Sequence, residues 1–244
     1  MLRYIKILSL TLVFLFSSKQ LEASHAMALD IYYEYLGSGT YNFFVKFYRD
    51  CDGVAAPTSV IIDFGSSSCT NFTTVLPLDS SSEVSQLCPQ ALLQSTCVSS
   101  SSTAYPGPEE YIYSSTVTLT NTQLACNDWI VSYNLCCRNS AITNLTSPSS
   151  NDIYCEVSFD PTIQNTSVDY SNIPVLYGCV GKQICFNHGA ADADLDSLSY
   201  ELVNTQGDLG NNMSFTSGLS LSNPVESNNT FTFDIMTGQM CFTP

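Results

Sequence analysis

Three aspartates at alternating positions, Asp192, Asp194 and Asp196, are the residues of this chain best placed to do chemistry. Alternate side chains of an extended segment share one face, so the three carboxylates would project together. Like charges that lie close repel unless water or a cation separates them, and calcium prefers six to eight oxygen ligands. The spacing therefore predicts a calcium site, with a solvated acidic turn as the alternative.

The loop around these aspartates is not an EF-hand. Counted from Asp192, the sixth position is Ser197 instead of glycine, and the twelfth is Val203 instead of glutamate. A calcium ion here would need further oxygens from backbone carbonyls or from a facing domain. Apolar and polar residues then alternate over residues 198–203, so the loop is predicted to lead directly into a β-strand.

Catalytic motifs are not evident. The two histidines, His25 and His188, lie far apart in sequence, and Gly65-Ser-Ser-Ser-Cys69 does not match the Gly-x-Ser-x-Gly pattern of hydrolases. We therefore predict a protein that is not an enzyme, with a secreted hydrolase as the weakest alternative.

An aromatic-rich hairpin is predicted near the start of the mature chain. Residues 31–36 and 41–48 are β-type runs separated by Gly37-Ser-Gly39. Core packing and cross-strand pairing explain the aromatic residues in one interpretation. In the alternative, exposed rings form a glycan-binding platform. The residues of that candidate platform are Tyr33, Tyr35, Tyr41 and Tyr48.

Residues 1–23 have the features of a secretory signal peptide. Arg3 and Lys6 precede an apolar run over residues 7–16, and Leu21-Glu-Ala23 fits a cleavage site. Cleavage would leave four of the seven bases and 21 of the 22 acids, a net charge of −17. Such a polyanion is repelled by nucleic acid and by anionic lipid, so a nucleic-acid partner is not expected. A second apolar segment of spanning length is not evident, so we expect an exported protein without a transmembrane anchor after cleavage.

All 11 cysteines lie beyond the predicted cleavage site, which indicates an oxidising compartment and disulfide bonds. Zinc is disfavoured because paired Cys-x-x-Cys sites are absent. In the second half of the chain we expect Cys185 to pair with Cys241, which leaves Cys179 over.

In the first half, Cys51 is expected to pair with Cys136 or Cys137, which lie within a central strand predicted over residues 128–139. Neighbouring residues of a strand point to opposite faces, so the two adjacent cysteines are expected to have different partners. Cys88 and Cys97 should each be tied within the first domain, with a bond between them as one option.

The pattern of short strands and turns predicts an all-β chain without an amphipathic helix. We expect an antiparallel β-sandwich over residues 24–165 and an immunoglobulin-like or cadherin-like module over residues 173–244. The second module is shorter than the usual ~100 residues of such sandwiches. We therefore expect a truncated module, or one completed by a strand from another polypeptide.

Several motifs carry a family resemblance: Tyr48-Arg-Asp-Cys51, Tyr133-Asn-Leu-Cys-Cys-Arg-Asn139 and the stretch Ala191 to Tyr200. They resemble the N-terminal region of Bacteroidetes gliding-motility-associated or type IX-secreted surface proteins with cadherin-like or PKD-like modules. Ala193 and Leu195 replace the Pro and Gly of the family's Asp-Pro-Asp-Gly-Asp loop.

This resemblance implies a β-rich protein at the cell surface or outside the outer membrane, with the periplasm as the alternative location. It implies a role in adhesion or surface architecture, with calcium bound at Asp-rich module junctions and without catalysis. The partners implied are other surface proteins or glycans.

Overall fold

A computed structural model describes residues 25–101 and 103–244, so the predicted signal peptide lies outside the described residues. The prediction of an all-β, antiparallel fold is confirmed. The strands are β1 (Ala26–Gly37), β2 (Thr40–Asp50), β3 (Ser59–Gly65), β4 (Phe72–Glu83), β5 (Pro108–Thr118), β6 (Trp129–Leu135), β7 (Ile153–Phe159), β8 (Asp169–Tyr170), β9 (Ile184–Phe186), β10 (Ala190–Ala191), β11 (Gln206–Asp208), β12 (Asn211–Asn212), β13 (Thr232–Phe233) and β14 (Met240–Phe242).

Helical structure is limited to three short segments in the described chain. They are α1 (Pro89–Leu92), α2 (Asn121–Leu124) and a 3₁₀ turn (Pro148–Ser150). Within residues 25–101 and 103–244, none of these is long and apolar enough to cross a bilayer.

The first seven strands form one antiparallel sheet in the order β1-β2-β5-β4-β3-β6-β7. Strand β4 joins its two halves: residues 72–77 pair with β3, and the remainder pairs with β5. The register shifts between Leu78 and Ser80, and an extra residue of this kind bends a strand. The sheet therefore folds over on itself in a sandwich-like arrangement, and its two edge strands, β1 and β7, come close together.

The first hairpin is confirmed, with Ile31, Tyr33 and Tyr35 opposite Val45, Phe43 and Tyr41. All of these side chains lie on the core side of β1 and β2, because odd-numbered positions share one face. The turn places residues 37–39 at positive φ, which two glycines accommodate readily.

Aromatic rings dominate the core between the two halves of the sheet. Phe43 meets Phe64 and Phe159 edge-on, with ring centroids 4.9 and 5.4 Å away. Trp129 lies edge-on to Phe72 at 5.3 Å and is 1% exposed. Edge-to-face pairs add to the stability that burial of each ring provides.

The C-terminal region, residues 160–244, contains only small sheets. They are β8–β10, β11–β12 and the three-stranded β13-β14-β9. The predicted Cys185–Cys241 disulfide is confirmed and joins β9 to β14, where the two residues face each other in register.

The predicted pairings of the first domain are wrong. Cys51 bonds to Cys97, with a Cα–Cα distance of 4.9 Å, and not to Cys136 or Cys137. The physical reason is local. Cys51 lies in the turn after β2, and its N–H donates to the carbonyl oxygen of Gly107. This hydrogen bond places Cys51 beside the loop that contains Cys97. Cys88, the suggested partner of Cys97, is an exposed thiol.

Cys136 and Cys137 bond to each other, so the prediction of separate partners is also wrong. The argument from alternation fails because β6 ends at Leu135, one residue before the pair. A fourth disulfide, Cys69–Cys126, was not predicted. Cys179 is an exposed free thiol, and Cys155 on β7 is a half-buried free thiol.

Candidate functional site

The outer face of the first hairpin, on the side of β1 and β2 away from the core, carries Asp30, Tyr32, Phe44, Lys46 and Tyr48. Asp30 lies opposite Lys46 and Tyr32 opposite Phe44 in the β1–β2 register. The Tyr32 and Phe44 rings stack with centroids 4.7 Å apart. The face is buried around Lys46 and Tyr48, which are 9% and 3% exposed, because the C-terminal region packs over it.

Lys46 fixes the C-terminal region to this face. Its Nζ donates to Asp169 Oδ1 at 2.5 Å and to the carbonyl oxygen of Tyr170 at 3.1 Å. The same ammonium group lies 4.7 Å from the centroid of the Tyr32 ring, within cation–π distance. Lys46 therefore forms its ion pair with Asp169 of β8, and not with Asp30, which lies opposite it in the hairpin.

The ionised form of Asp30 is consequently disfavoured by its surroundings. Burial raises its pKa to about 6, the nearby charge of Asp169 opposes ionisation too, and Lys46 and the Ile31 N–H act in the other direction. Among the described residues, Asp30 has no ion-pair partner within 4.0 Å.

A cleft of about 480 Å³ lies between the outer hairpin face and the C-terminal region. Its lining includes Asp30, Tyr48, Arg138, Tyr154, Tyr170, His188, Tyr200, Glu201, Phe233 and Met240. His188 meets Phe186 and Tyr170 edge-on, at centroid distances of 4.8 and 5.7 Å. Burial lowers the pKa of His188, so its ring is neutral at pH 7.

The acidic loop is a compact turn held by its own first aspartate. Asp192 Oδ1 accepts the N–H groups of Asp194 and Asp196, at 2.9 and 3.2 Å. Leu195 has a φ of 66° at the tip of this turn. The segment after the loop, predicted as a strand over residues 198–203, is irregular.

The acidic loop is also joined to the edge of the large sheet. Asp194 Oδ2 accepts the N–H of Thr166 at 2.7 Å. The Thr166 hydroxyl accepts the N–H of Tyr35, and the Ser167 hydroxyl accepts the N–H of Tyr33, both on β1. Loop, connecting segment and edge strand thus form one hydrogen-bonded chain at the junction of the two regions.

For the aromatic residues of the hairpin, the interpretation of core packing and cross-strand pairing is confirmed, and the alternative of an exposed glycan platform is wrong. Tyr33 and Tyr41 are 4% and 1% exposed in the core, where their rings pack against Phe159. Tyr35 is half-buried against Tyr41, and Tyr48 lies under the C-terminal region with its hydroxyl donating to Glu110. Three of the four rings are therefore buried, and Tyr35 alone does not form a platform on which a sugar could stack.

A potential metal-binding group occurs elsewhere. Within the described residues, Cys136, Cys137 and Asp152 are the group of three whose ligand atoms lie within 4.8 Å of one another. The aspartates of the acidic loop do not form such a group. Because the two sulfurs are bonded to each other, they are not thiolates and lack the form that binds metal.

The serines of Gly65-Ser-Ser-Ser-Cys69 surround a single carboxylate. The hydroxyls of Ser66, Ser67 and Ser68 all donate to Asp128, at 2.5 to 2.7 Å. These hydrogen bonds hold the pKa of Asp128 well below its usual range. The arrangement ties the loop after β3 to the start of β6.

The residues of the cleft were missed at the level of sequence. Lys46 lies within the predicted run over residues 41–48, Asp30 directly precedes the run over residues 31–36, and neither they nor His188 belong to a recognisable motif. One signal was present: β2 has aromatic residues on both faces, and Lys46 interrupts the second of them between Phe44 and Tyr48. A strand with two apolar faces needs a cover on each.

Neither models of protein families, nor curated proteins, nor solved structures match this chain.

Proposed function

We propose that the chain is an exported, non-catalytic β-protein of the cell surface or extracellular space that serves adhesion or surface architecture. The observation that carries the proposal is the junction between its two regions. There the acidic loop, the connecting segment and the edge strand β1 are hydrogen-bonded to one another. A strand edge whose N–H groups are already hydrogen-bonded does not pair with strands of other proteins. A protein exposed to many other proteins needs this protection against aggregation.

Export is supported by the cysteine chemistry. Four disulfides indicate an oxidising, extracytoplasmic environment. The predicted signal peptide and the acidic character of the mature chain agree with that environment. The resemblance to Bacteroidetes surface proteins directs the finer assignment to the cell surface and to adhesion.

Calcium at the junction is part of the proposal. Asp192, Asp194 and Asp196 offer carboxylate oxygens beside the connecting segment, but Asp192 Oδ1 and Asp194 Oδ2 already accept backbone N–H groups. The oxygens left are fewer than the six to eight that calcium prefers, so carbonyl groups or water would complete the shell. Bound calcium would stiffen the junction by drawing the three carboxylates together.

Cells that carry the chain provide the test. We expect protease added to intact cells to remove the protein, and deletion of its gene to reduce attachment to surfaces or to neighbouring cells. A periplasmic marker protein that survives the same treatment is the control for cell integrity. Protection of the chain in intact cells, or unchanged attachment of the deletion strain, would contradict the proposal.

A further inference from the structure

The charges immediately around Lys46 do not pair one to one. Two carboxylates, Asp30 and Asp169, flank the single ammonium group of Lys46. Lys46 bonds to Asp169, and Asp30 is left at the wall of the cleft without an ion-pair partner among the described residues. Around Lys46, one carboxylate is therefore left without a paired cation. The other charged groups that line the cleft are Glu201 and Arg138, whose guanidinium is held by carbonyl and hydroxyl oxygens.

Lys46 itself shows which chemistry the surroundings favour. Its ammonium group is held by a carboxylate, a backbone carbonyl and the face of a tyrosine ring. The cleft beside it offers the same kinds of group: the carboxylate of Asp30 and the rings of Tyr48, Tyr170 and Tyr200. Carboxylates and tyrosine faces both attract organic cations.

We propose that the cleft binds a small organic molecule bearing an ammonium group, which pairs with Asp30 while the apolar body of the molecule lies among the tyrosine rings. The volume of about 480 Å³ is in the range of small-molecule sites. This binding does not depend on a role in adhesion or on calcium, so either proposal can fail alone.

An anionic ligand fits the cleft less well. The guanidinium of Arg138 is already engaged, since its Nε donates to the Asp152 carbonyl and its Nη2 to Thr205 and Gln206. His188 is neutral at pH 7 because burial lowers its pKa. The acidic mature chain also repels anions over a longer range.

The binding should depend on pH through Asp30 and His188, which line the cleft together with the charged groups of Arg138 and Glu201, because protonation of either one weakens the attraction of a cation. The titratable or charged groups that act on Asp30 are Lys46, Asp169, Tyr32, Tyr48, Cys155 and Tyr170. Burial raises the pKa of each of these tyrosines and that of Cys155, so they stay uncharged below pH 8. Affinity should therefore decrease as the pH falls through the pKa of Asp30, about 6.

Isothermal titration of the full mature chain with phenethylammonium chloride, at constant ionic strength and pH 7.5, tests the proposal. We expect saturable binding to one site and no saturable binding of the neutral analogue 2-phenylethanol. Asp30→Asn should weaken binding about tenfold or more. The matched control is Glu34→Gln, which removes one charge from an exposed position on the same face of β1 and should leave the affinity unchanged.

Three results would overturn the proposal: no saturable binding of the ammonium salt, equal binding of the alcohol, or equal affinity of the wild type and Asp30→Asn. A loss of affinity that is equal in Glu34→Gln would show general attraction of a cation to an acidic protein, which also refutes a specific site. Circular dichroism of each variant verifies that it is folded before the titration.

Discussion

Replacing Asp30 by asparagine should make the protein more stable at neutral pH. The pKa of Asp30 rises from 3.8 to about 6 on folding because burial disfavours its charge. A shift of about two units corresponds to about 3 kcal/mol of differential interaction. Asparagine keeps the shape of the side chain and cannot ionise, so Asp30→Asn avoids most of this cost. For a chain of this size the gain corresponds to roughly 5–10 °C in the melting temperature.

The sign of the pH dependence follows from linkage. The folded state binds the proton of Asp30 more tightly than the unfolded state does, so the stability due to this group is fully present below pH 3.8 and is lost as the pH rises through about 6. The difference between wild type and Asp30→Asn should therefore be only about 0.5 kcal/mol at pH 4 and reach its full size above pH 7.

Urea unfolding of both proteins at pH 4 and pH 7.5 measures this difference directly. Comparison with the wild type at each pH removes the contributions of the other acids. Glu34→Gln, on the exposed part of the same face, should change the free energy of unfolding little at either pH. The reasoning fails if Asp30→Asn is no more stable than the wild type at pH 7.5, or if its gain is the same at both pH values.

Three further predictions concern calcium and the cysteines. Calcium at 100 times its dissociation constant should add about 2.7 kcal/mol to the free energy of unfolding. Asp196→Asn should abolish this gain, although it leaves the hydrogen bonds accepted by Asp192 and Asp194 in place. Identical melting temperatures with calcium and with chelator would exclude the site. Alkylation of the native protein followed by mass spectrometry should label the exposed Cys88 and Cys179 quickly, whereas Cys155, whose pKa burial raises to about 12, should react only after unfolding. The double variant Cys51→Ala/Cys97→Ala should lose about 4 kcal/mol on the chain-entropy estimate for a loop of 46 residues, and unchanged urea midpoints would contradict it.

Features fixed by neighbouring residues were predictable from the sequence. The first hairpin follows from alternation on both sides of a glycine-containing turn, and Tyr33 opposite Phe43 is a direct consequence of that register. The pairing of Cys51 was not predictable, because it depends on where a distant loop returns to the turn after β2. Strand order was equally hidden, since β4 divides its pairing between β3 and β5 at a bulge that no local signal marks.

The candidate site was hidden for a related reason. Asp192, Asp194 and Asp196 were visible as a motif because their spacing is regular within six residues. The cleft is assembled from β1, β2, residues near β7 and the C-terminal region. The ion pair beside it, Lys46 with Asp169, joins residues separated by 123 positions in the sequence. Only the second aromatic face of β2 hinted that something must cover it.

We expect the C-terminal region to depend on the large sheet for its stability, and a substitution of Lys46 tests this expectation. Two-stranded sheets such as β8–β10 are marginal on their own, and the region buries few large apolar side chains, namely Val175, Met213 and Phe231. Lys46→Met keeps the aliphatic stem but leaves Asp169 without its ion-pair partner and removes a nearby positive charge from Asp30. Because Asp169 is 42% exposed, we expect a loss of about 2 kcal/mol, less than for a fully buried pair.

Hydrogen exchange locates that loss within the molecule. If the C-terminal region is held by its contacts with the outer hairpin face, Lys46→Met should accelerate exchange at Ser171, whose N–H donates to Gly189, and at Tyr200, whose N–H donates to Ile235. Exchange along β6 should follow global stability alone. If the free energy of opening falls by the same amount at β6 and at Ser171, both regions open as one unit. Lys46 would then stabilise the whole fold and not only the attachment of the C-terminal region.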